Sequence, residues 1–343
     1  MNGARAFDLE HIPDGEEEAI RKIIDLELQI LQKSMGQKRL VPRAQHPKNH
    51  GCVRAEFIVA DELPAEFRFG VFSRASRTFP AWIRFSNARK QDDRESGGHG
   101  MAIKLMGVTG EKLLQGQQNE QTQDFLFLDS PIFFIRDAIQ FAEFDAALLK
   151  SEVSWYGKLS ILEYFLKHPR EAWILHEIEK NQSSNPLDIQ YWSVTPYKLG
   201  TKAVKYLVKP RRDGPPIVAP TPSPDQLRYA MKLHLQTRDA YFDFCVQPQL
   251  DPLEHPTEDA THLWQSPEQR VATVRVPCQP FDTPTQMAFC ENLTFNPWHS
   301  LAEHRPLGSL NRLRKATYLA LSNFRHKENH EQSIEPTPEM TIP

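Results

Sequence analysis

Between residues 124 and 144 the hydrophobic pattern changes character at one point, and that point limits the folds open to the chain. The run DFLFLDS reads as a strand that ends at Ser130-Pro131. Beyond it PIFFIRDAIQFAEF turns into a helix whose first turns carry Phe133, Phe134, Phe141 and Phe144. Four large rings at a strand-to-helix junction have to be buried against another layer. The cluster suits an ordinary core, and it also suits the wall of a flat apolar ligand.

Other segments supply that layer. The stretch after Gly51, PAWIRFSNARK at 80–90, MAIKLMGV at 101–108, AYFDFCVQP at 240–248 and VATVRVPC at 271–278 read as strands. A helix is expected at 16–34, where Ile20, Ile23, Ile24, Leu26, Leu28, Ile30 and Leu31 recur near helical spacing. Residues 151–185, with Trp155, Tyr156, Leu159, Ile161, Leu162, Tyr164 and Phe165, read as helix broken at Pro169. A last helix is expected at 312–326 with Ser309 as its N-cap. The chain has 27 prolines against 15 glycines, which stiffens its connections and argues against a doubly wound α/β fold.

Charge excludes several classes of function. The net charge is −3 with both signs interspersed, so neither nucleic acid nor an anionic membrane surface is an expected partner. No transmembrane segment is expected, and the N-terminus lacks the apolar run of a signal peptide, which makes a cytoplasmic protein the default. Cys52, Cys245, Cys278 and Cys290 are far apart, so buried free thiols are expected rather than a disulfide framework or a zinc site.

The candidate chemistry lies in three places. On the helix at 312–326, Arg314, Tyr318 and Arg325 stand at i, i+4 and i+11 and share one face. A phenol beside a fixed cation is biased towards phenolate, a hard anionic ligand for a metal. His46 lies in the polar loop that feeds the strand after Gly51, and on the strand at 80–90 Trp82, Arg84 and Ser86 share a face. His299 and His304 are rival metal ligands, though neither has an Arg at i−4 as Tyr318 does.

These segments, in this order, resemble haem catalases. Pro131 to Asp137 reads PIFFIRD, word for word the catalase signature; Arg43-x-x-His46-x-Lys48 followed by Gly51, and Arg84-Phe85-Ser86, resemble the segments on the distal side of the haem. Residues 99–105, HGMAIKL, keep the size pattern of Arg-Gly-Phe-Ala-Val-Lys-Phe without its Arg and one Phe. Arg314-x-x-x-Tyr318 with Arg325 seven residues on resembles the proximal segment, and 295–318, FNPWHSLAEHRPLGSLNRLRKATY, is similar to the small catalase-related haem proteins. One departure stands out. Counting back from Pro131, the distal Asn of catalases is replaced by Leu128, with Asp129 beside it, and Gln45 replaces the Val usual before the distal His.

The resemblance implies an α+β fold with an antiparallel β-barrel core, surrounding helices and haem b (iron protoporphyrin IX) inside the barrel. It implies Tyr318 as proximal iron ligand, Arg314 as its phenolate partner, His46 as distal acid/base and Ser86 as its support. Arg43, Arg84 and Arg325 would face the propionates, Phe133, Phe134 and Phe141 would wall the haem, and Asp129 is a further catalytic candidate. A phenolate ligand favours reaction with an O–O bond. The implied function is a haem enzyme acting on organic or fatty-acid hydroperoxides, as a peroxidase or by rearrangement, with weak hydrogen peroxide catalase activity. The alternatives are a true small catalase and a haem-binding protein without turnover. Residues 1–15 are expected as a polar arm, 16–326 as a single haem domain with a Pro-rich connection near 209–224, and 327–343 as a disordered tail. Because the chain ends soon after the proximal helix, no NADPH is expected. The Pro-rich connection suits contact with a second subunit, so a homodimer or homotetramer is an open expectation.

Overall fold

A computed structural model describes residues 10–35, 40–153 and 158–340. Its strands are β1 (Lys48–Val59), β2 (Thr78–Asn87), β3 (His99–Met106), β4 (Thr122–Leu128), β5 (Tyr191–Trp192), β6 (Tyr197–Leu199), β7 (Lys202–Arg211), β8 (Ala240–Pro248) and β9 (Gln269–Val276). Its helices are α1 (Glu16–Met35), α2 (Ala138–Val153), α3 (Lys158–Lys167), α4 (Pro169–Glu179), α5 (Gln226–Thr237), α6 (Pro284–Asn292) and α7 (Ser309–Glu328). The antiparallel ladder runs β5-β4-β3-β2-β1-β9-β8-β7, and Tyr191 and Trp192 pair back onto Val208 and Leu207. Among the described residues eight strands thus close into a barrel, with β6 a further partner of β7.

Alternation along the strands decides what fills it. Phe57, Ile83, Phe85, Ile103, Phe125 and Phe244 point inward, and the rings of Phe57, Phe125 and Phe244 lie 4.9 to 6.4 Å apart. A barrel of eight strands is only wide enough for such side chains. The expectation of a cofactor inside the barrel is therefore corrected: the interior is packed core. The residues between them in sequence point outward, and on β2, β3 and β4 they fall into two register rows, Arg84–Ala102–Leu126 and Ser86–Gly100–Leu128. Over this face lies a helical layer, where Ile23 of α1, Ala138 and Ala142 of α2, and Leu310 and Leu313 of α7 form a second core.

Local chemistry sets the helix starts. PIFFIRD is not helical; Asp137 Oδ1 accepts from Gln140 N at 2.9 Å while Gln140 Oε1 accepts from Arg136 N at 2.7 Å, a capping arrangement that starts α2 only at Ala138. Phe133 and Phe134 therefore precede the helix. Ser309 is the first residue of α7 rather than its cap, and its Oγ accepts from Ala138 N at 2.9 Å, joining α7 to the start of α2. The helix expected at 151–185 is the end of α2 followed by α3 and α4; Trp155 and Tyr156 lie outside the described residues. β7 runs through Pro210 to Arg211, so the Pro-rich connection begins at 212 rather than 209.

Two further expectations are overturned. Cys52 and Cys290 form a disulfide that ties β1 to α6 across 238 residues, leaving Cys245 and Cys278 free. The tail beyond Lys327, expected to be disordered, packs onto the barrel in its described part, to residue 340: Ile334 joins the cluster around Trp82 and Phe289, and Glu335 pairs with the buried Lys104 at 3.1 Å. Lys104 also binds Asp124 at 2.8 Å, so an outward-facing barrel lysine draws the tail in. Loss of the disulfide in a Cys52→Ser/Cys290→Ser variant is expected to cost about 2–4 kcal/mol, read from urea unfolding.

His304 sits in the barrel core, accepting from Val71 N at Nε2 (2.9 Å) and facing Tyr206 Oη from Nδ1 (2.9 Å). Burial pushes its pKa down to about 3. The unfolded imidazole takes up a proton near pH 6.5, so between about 6.5 and 3 the unfolded chain binds more protons and acid lowers stability. His304→Gln should flatten the fall in unfolding free energy across that window by up to about one proton, or ~1.4 kcal/mol per pH unit.

Candidate active site

Between the outward face of β2–β4 and helix α7 lies a cavity of about 1320 Å³, its solvent-open mouth included. The barrel side contributes Arg84, Ser86, Ala102, Leu126 and Leu128; α7 contributes Leu313, Arg314, Tyr318, Leu321 and Arg325. The loop before β1 adds Arg43, Gln45 and His46, and the 131–141 region adds Phe133 and Phe141.

His46 is fixed from three sides. Its φ of 55° turns the loop sharply, and its carbonyl accepts from Arg84 Nη2 at 2.9 Å. Its Nδ1 lies 3.1 Å from Ser86 Oγ, which is itself 3.5 Å from the Gly100 carbonyl. Ser86 donating to that carbonyl leaves its lone pairs for Nδ1–H, so Nε2 carries the free lone pair. Burial, reinforced by Arg84, Arg314, His99 and Arg43, pushes the His46 pKa down to about 3. The imidazole is neutral at physiological pH, the state a proton acceptor needs. Its ring occupies the space above Gly100, where a Cβ would stand 2.4 Å from Cε1 and Nδ1.

At another edge of the cavity three guanidiniums surround one carboxylate. Arg43 Nη2 donates to the carbonyls of Cys290, Glu291 and Leu293 at 3.1, 2.9 and 2.6 Å, and Arg325 Nη1 donates to that of Glu291 at 2.8 Å. Arg43 Nε lies 3.5 Å from the Glu291 carboxylate. Burial and then the charge of Arg43 bring Arg84 down to about 9 and Arg325 down to about 10, with Glu291 opposing both. Arg84 Nε is buried without a hydrogen-bond partner. The cluster has more cationic charge than its own carboxylate can balance.

Tyr318 reaches the cavity from α7, and among the described residues its hydroxyl makes no hydrogen bond. Arg314, one turn earlier, is held at Nη1 by Thr195 Oγ1 (3.0 Å) and Asn311 Oδ1 (3.4 Å). The structure therefore brings together Arg43, His46, Arg84, Ser86, Phe133, Phe141, Arg314, Tyr318 and Arg325. Two candidates fall outside. Phe134 packs on Phe144 at 5.2 Å in the α2–α3 core. Asp129 is held by His99, with Oδ2 2.6 Å from Nδ1 and Oδ1 accepting the His99 N–H, because it alternates with Leu128 and turns away from the cavity. His299 lies among Thr122, Glu120 and Lys104, and it is no rival to Tyr318 in this cavity.

The fold and this site define a barrel protein with a cation-edged, largely apolar cavity between strand and helix. The family model described as Catalase matches residues 2–179, and the chain belongs to the catalase family. Solved structures with the same fold include a bacterial catalase (14% identity, TM-score 0.63, covering 92% of this chain and 64% of that one) and catalase A from Saccharomyces cerevisiae (17%, 0.63, 90% and 67%). A fungal catalase is similar at 16% identity and a TM-score of 0.62, covering 87% of this chain and 61% of that one. The chain thus spans roughly two thirds or less of the length of the catalases it matches. A search of curated proteins returns no match. The family implies a haem cofactor, and the residues present fit one. The surplus guanidinium charge and the unpartnered Arg84 Nε suit its carboxylates, Phe133, Phe141, Leu313 and Leu321 suit its apolar faces, and the free Tyr318 hydroxyl suits its iron.

Two residues escaped the sequence reading, Glu27 in the cavity lining and Glu291 behind the arginines at its edge. Glu291 carries no local signal, since only the fold brings α6 beside Arg43 and Arg325. Glu27 was visible in principle, as a carboxylate inside the apolar stripe of α1 between Ile23 and Leu31. Replacing Gly100→Ala is expected to push the His46 ring off its seat and break its contact with Ser86. NMR titration should then find the imidazole pKa well above about 3 as the ring becomes solvated.

Proposed function

We propose that the protein is a haem enzyme of the catalase type that acts on hydroperoxides, with Tyr318 as the iron's proximal ligand. The observation that carries this is the convergence on one cavity of a neutral, Ser86-supported His46, an unpartnered Tyr318 hydroxyl and the Arg43–Arg84–Arg325 cluster. Arg43, Arg84 and Arg325 would bind the two propionates of haem b, Phe133 and Phe141 would lie against its faces, and Arg314 would stand beside the Tyr318 phenolate. Bound haem supplies the redox chemistry on the O–O bond. The protein's own part is the proton: His46 Nε2 takes it from the hydroperoxide and returns it to the leaving oxygen, with Ser86 keeping the imidazole in the tautomer that can do so.

The substrate reading follows from Leu128. In register with Gly100, over which the His46 ring sits, it offers the cavity an isobutyl group where a polar partner would favour hydrogen peroxide. Together with Leu126 and Phe133 it suits the alkyl part of an organic or fatty-acid hydroperoxide, consumed by peroxidase chemistry or rearrangement, with weak catalase activity beside it. The match to the catalase family model favours a second reading, a small catalase disproportionating hydrogen peroxide. One preparation, loaded with haem, distinguishes them by oxygen evolution from hydrogen peroxide against consumption of a fatty-acid hydroperoxide, with products identified. The first reading expects the organic substrate to be favoured in kcat/KM. Rapid oxygen evolution with no turnover of the organic hydroperoxide supports the second.

A further inference from the structure

A carboxylate sits in the seam where α1 packs on α2. Its neighbours on the stripe, Ile23 and Leu31, are 0% and 3% exposed, and Glu27 is 8% exposed. The charged group that faces it is Asp145 of α2, 3% exposed, and neither carboxylate forms an ion pair among the described residues. Glu27 Oε2 and Asp145 Oδ2 are both sealed from solvent without a hydrogen-bond partner. Burial raises Glu27 to about 7; burial and the charge of Glu27 raise Asp145 to about 8. At neutral pH such a pair retains a proton, so that the seam does not carry two bare charges. Acids without ion-pair partners destabilise a helix seam, and the place of Glu27 in the cavity lining points to function.

What Glu27 holds is Gln45, whose Nε2 donates to Glu27 Oε1 at 3.1 Å. Gln45 directly precedes His46, and Gln45, Glu27 and His46 all line the cavity. Leu128, on the β4 rim of the same space, provides no polar side-chain atom.

We propose that Gln45, held by Glu27, is the second hydrogen-bonding group for the substrate's hydroperoxide oxygens, working beside His46 where Leu128 gives none. The inference rests on the hydroperoxide reading above. An amide spends one N–H on Glu27 and keeps its other N–H and its carbonyl for a ligand. Gln45 moves no proton, which remains the work of His46. Glu27 is a positioning residue, kept towards its neutral form by its own burial in the seam.

The test uses haem-loaded protein with the variants Gln45→Leu, Glu27→Leu and Glu27→Gln. It measures kcat/KM for cumene hydroperoxide and, without turnover, the dissociation constant of cyanide from its spectral titration. Gln45→Leu and Glu27→Leu should each lower kcat/KM and weaken cyanide by roughly tenfold, the loss of one part-buried hydrogen bond. Their combination should be no worse than either alone. Glu27→Gln, which can still accept from Gln45, should stay within about threefold of wild type. Wild-type values in Gln45→Leu on both readouts overturn the inference while leaving the hydroperoxide reading intact. A wild-type protein that takes up no haem overturns both.

Discussion

The buried charge around Glu291 is the constraint on which the rest of the structure depends. Arg43, Arg84 and Arg325 come from the loop before β1, from β2 and from α7, and a single carboxylate stands among them. Guanidiniums rarely give up their proton, so the strain of burial has to be met by acceptors. Backbone carbonyls at the C-terminal end of α6 provide several, where the helix dipole is negative. That end of α6 is held by the Cys52–Cys290 disulfide, and the first turn of the helix by Gln286, whose Nε2 donates to Cys52 O at 2.8 Å. The remaining positive charge is what suits the cavity to the anionic group proposed for it.

The barrel contributes through its outer surface. Its interior is closed by its own aromatic rings, so the chemistry lies on the residues that alternate outward from β2 to β4 and under the helices that cover them. This explains why one strand can serve both tasks: Ile83 and Phe85 fill the barrel while Arg84 and Ser86 face the cavity. It also explains the position of Gly100, where the ring of His46 needs the room a side chain would take.

Much of this was legible in the sequence wherever local periodicity coincides with the tertiary role. The alternation at 80–90 gave the correct shared face for Arg84 and Ser86, and the i, i+4, i+11 spacing put Arg314, Tyr318 and Arg325 on one side of α7. What stayed hidden depends on long-range packing. Cys52 and Cys290 are 238 residues apart and become neighbours only through α6, a short helix without an apolar stripe. β7 was obscured by Lys205, an outward-facing lysine that the fold buries against Trp264, with its ammonium 5.0 Å from the ring and 3.2 Å from the His262 carbonyl. Asp129 was misplaced because a single residue of strand register decides whether position 128 or 129 meets the cavity.

Ligation of iron by Tyr318 at this cavity is proposed here, and it is read from the resonance Raman and absorption spectra of haem-loaded protein. Ferric-tyrosinate vibrations and charge-transfer absorption are expected in the wild type, both lost in Tyr318→Phe while haem is still retained by the arginine cluster. A wild-type spectrum of histidine or water ligation, unchanged by Tyr318→Phe, would contradict it.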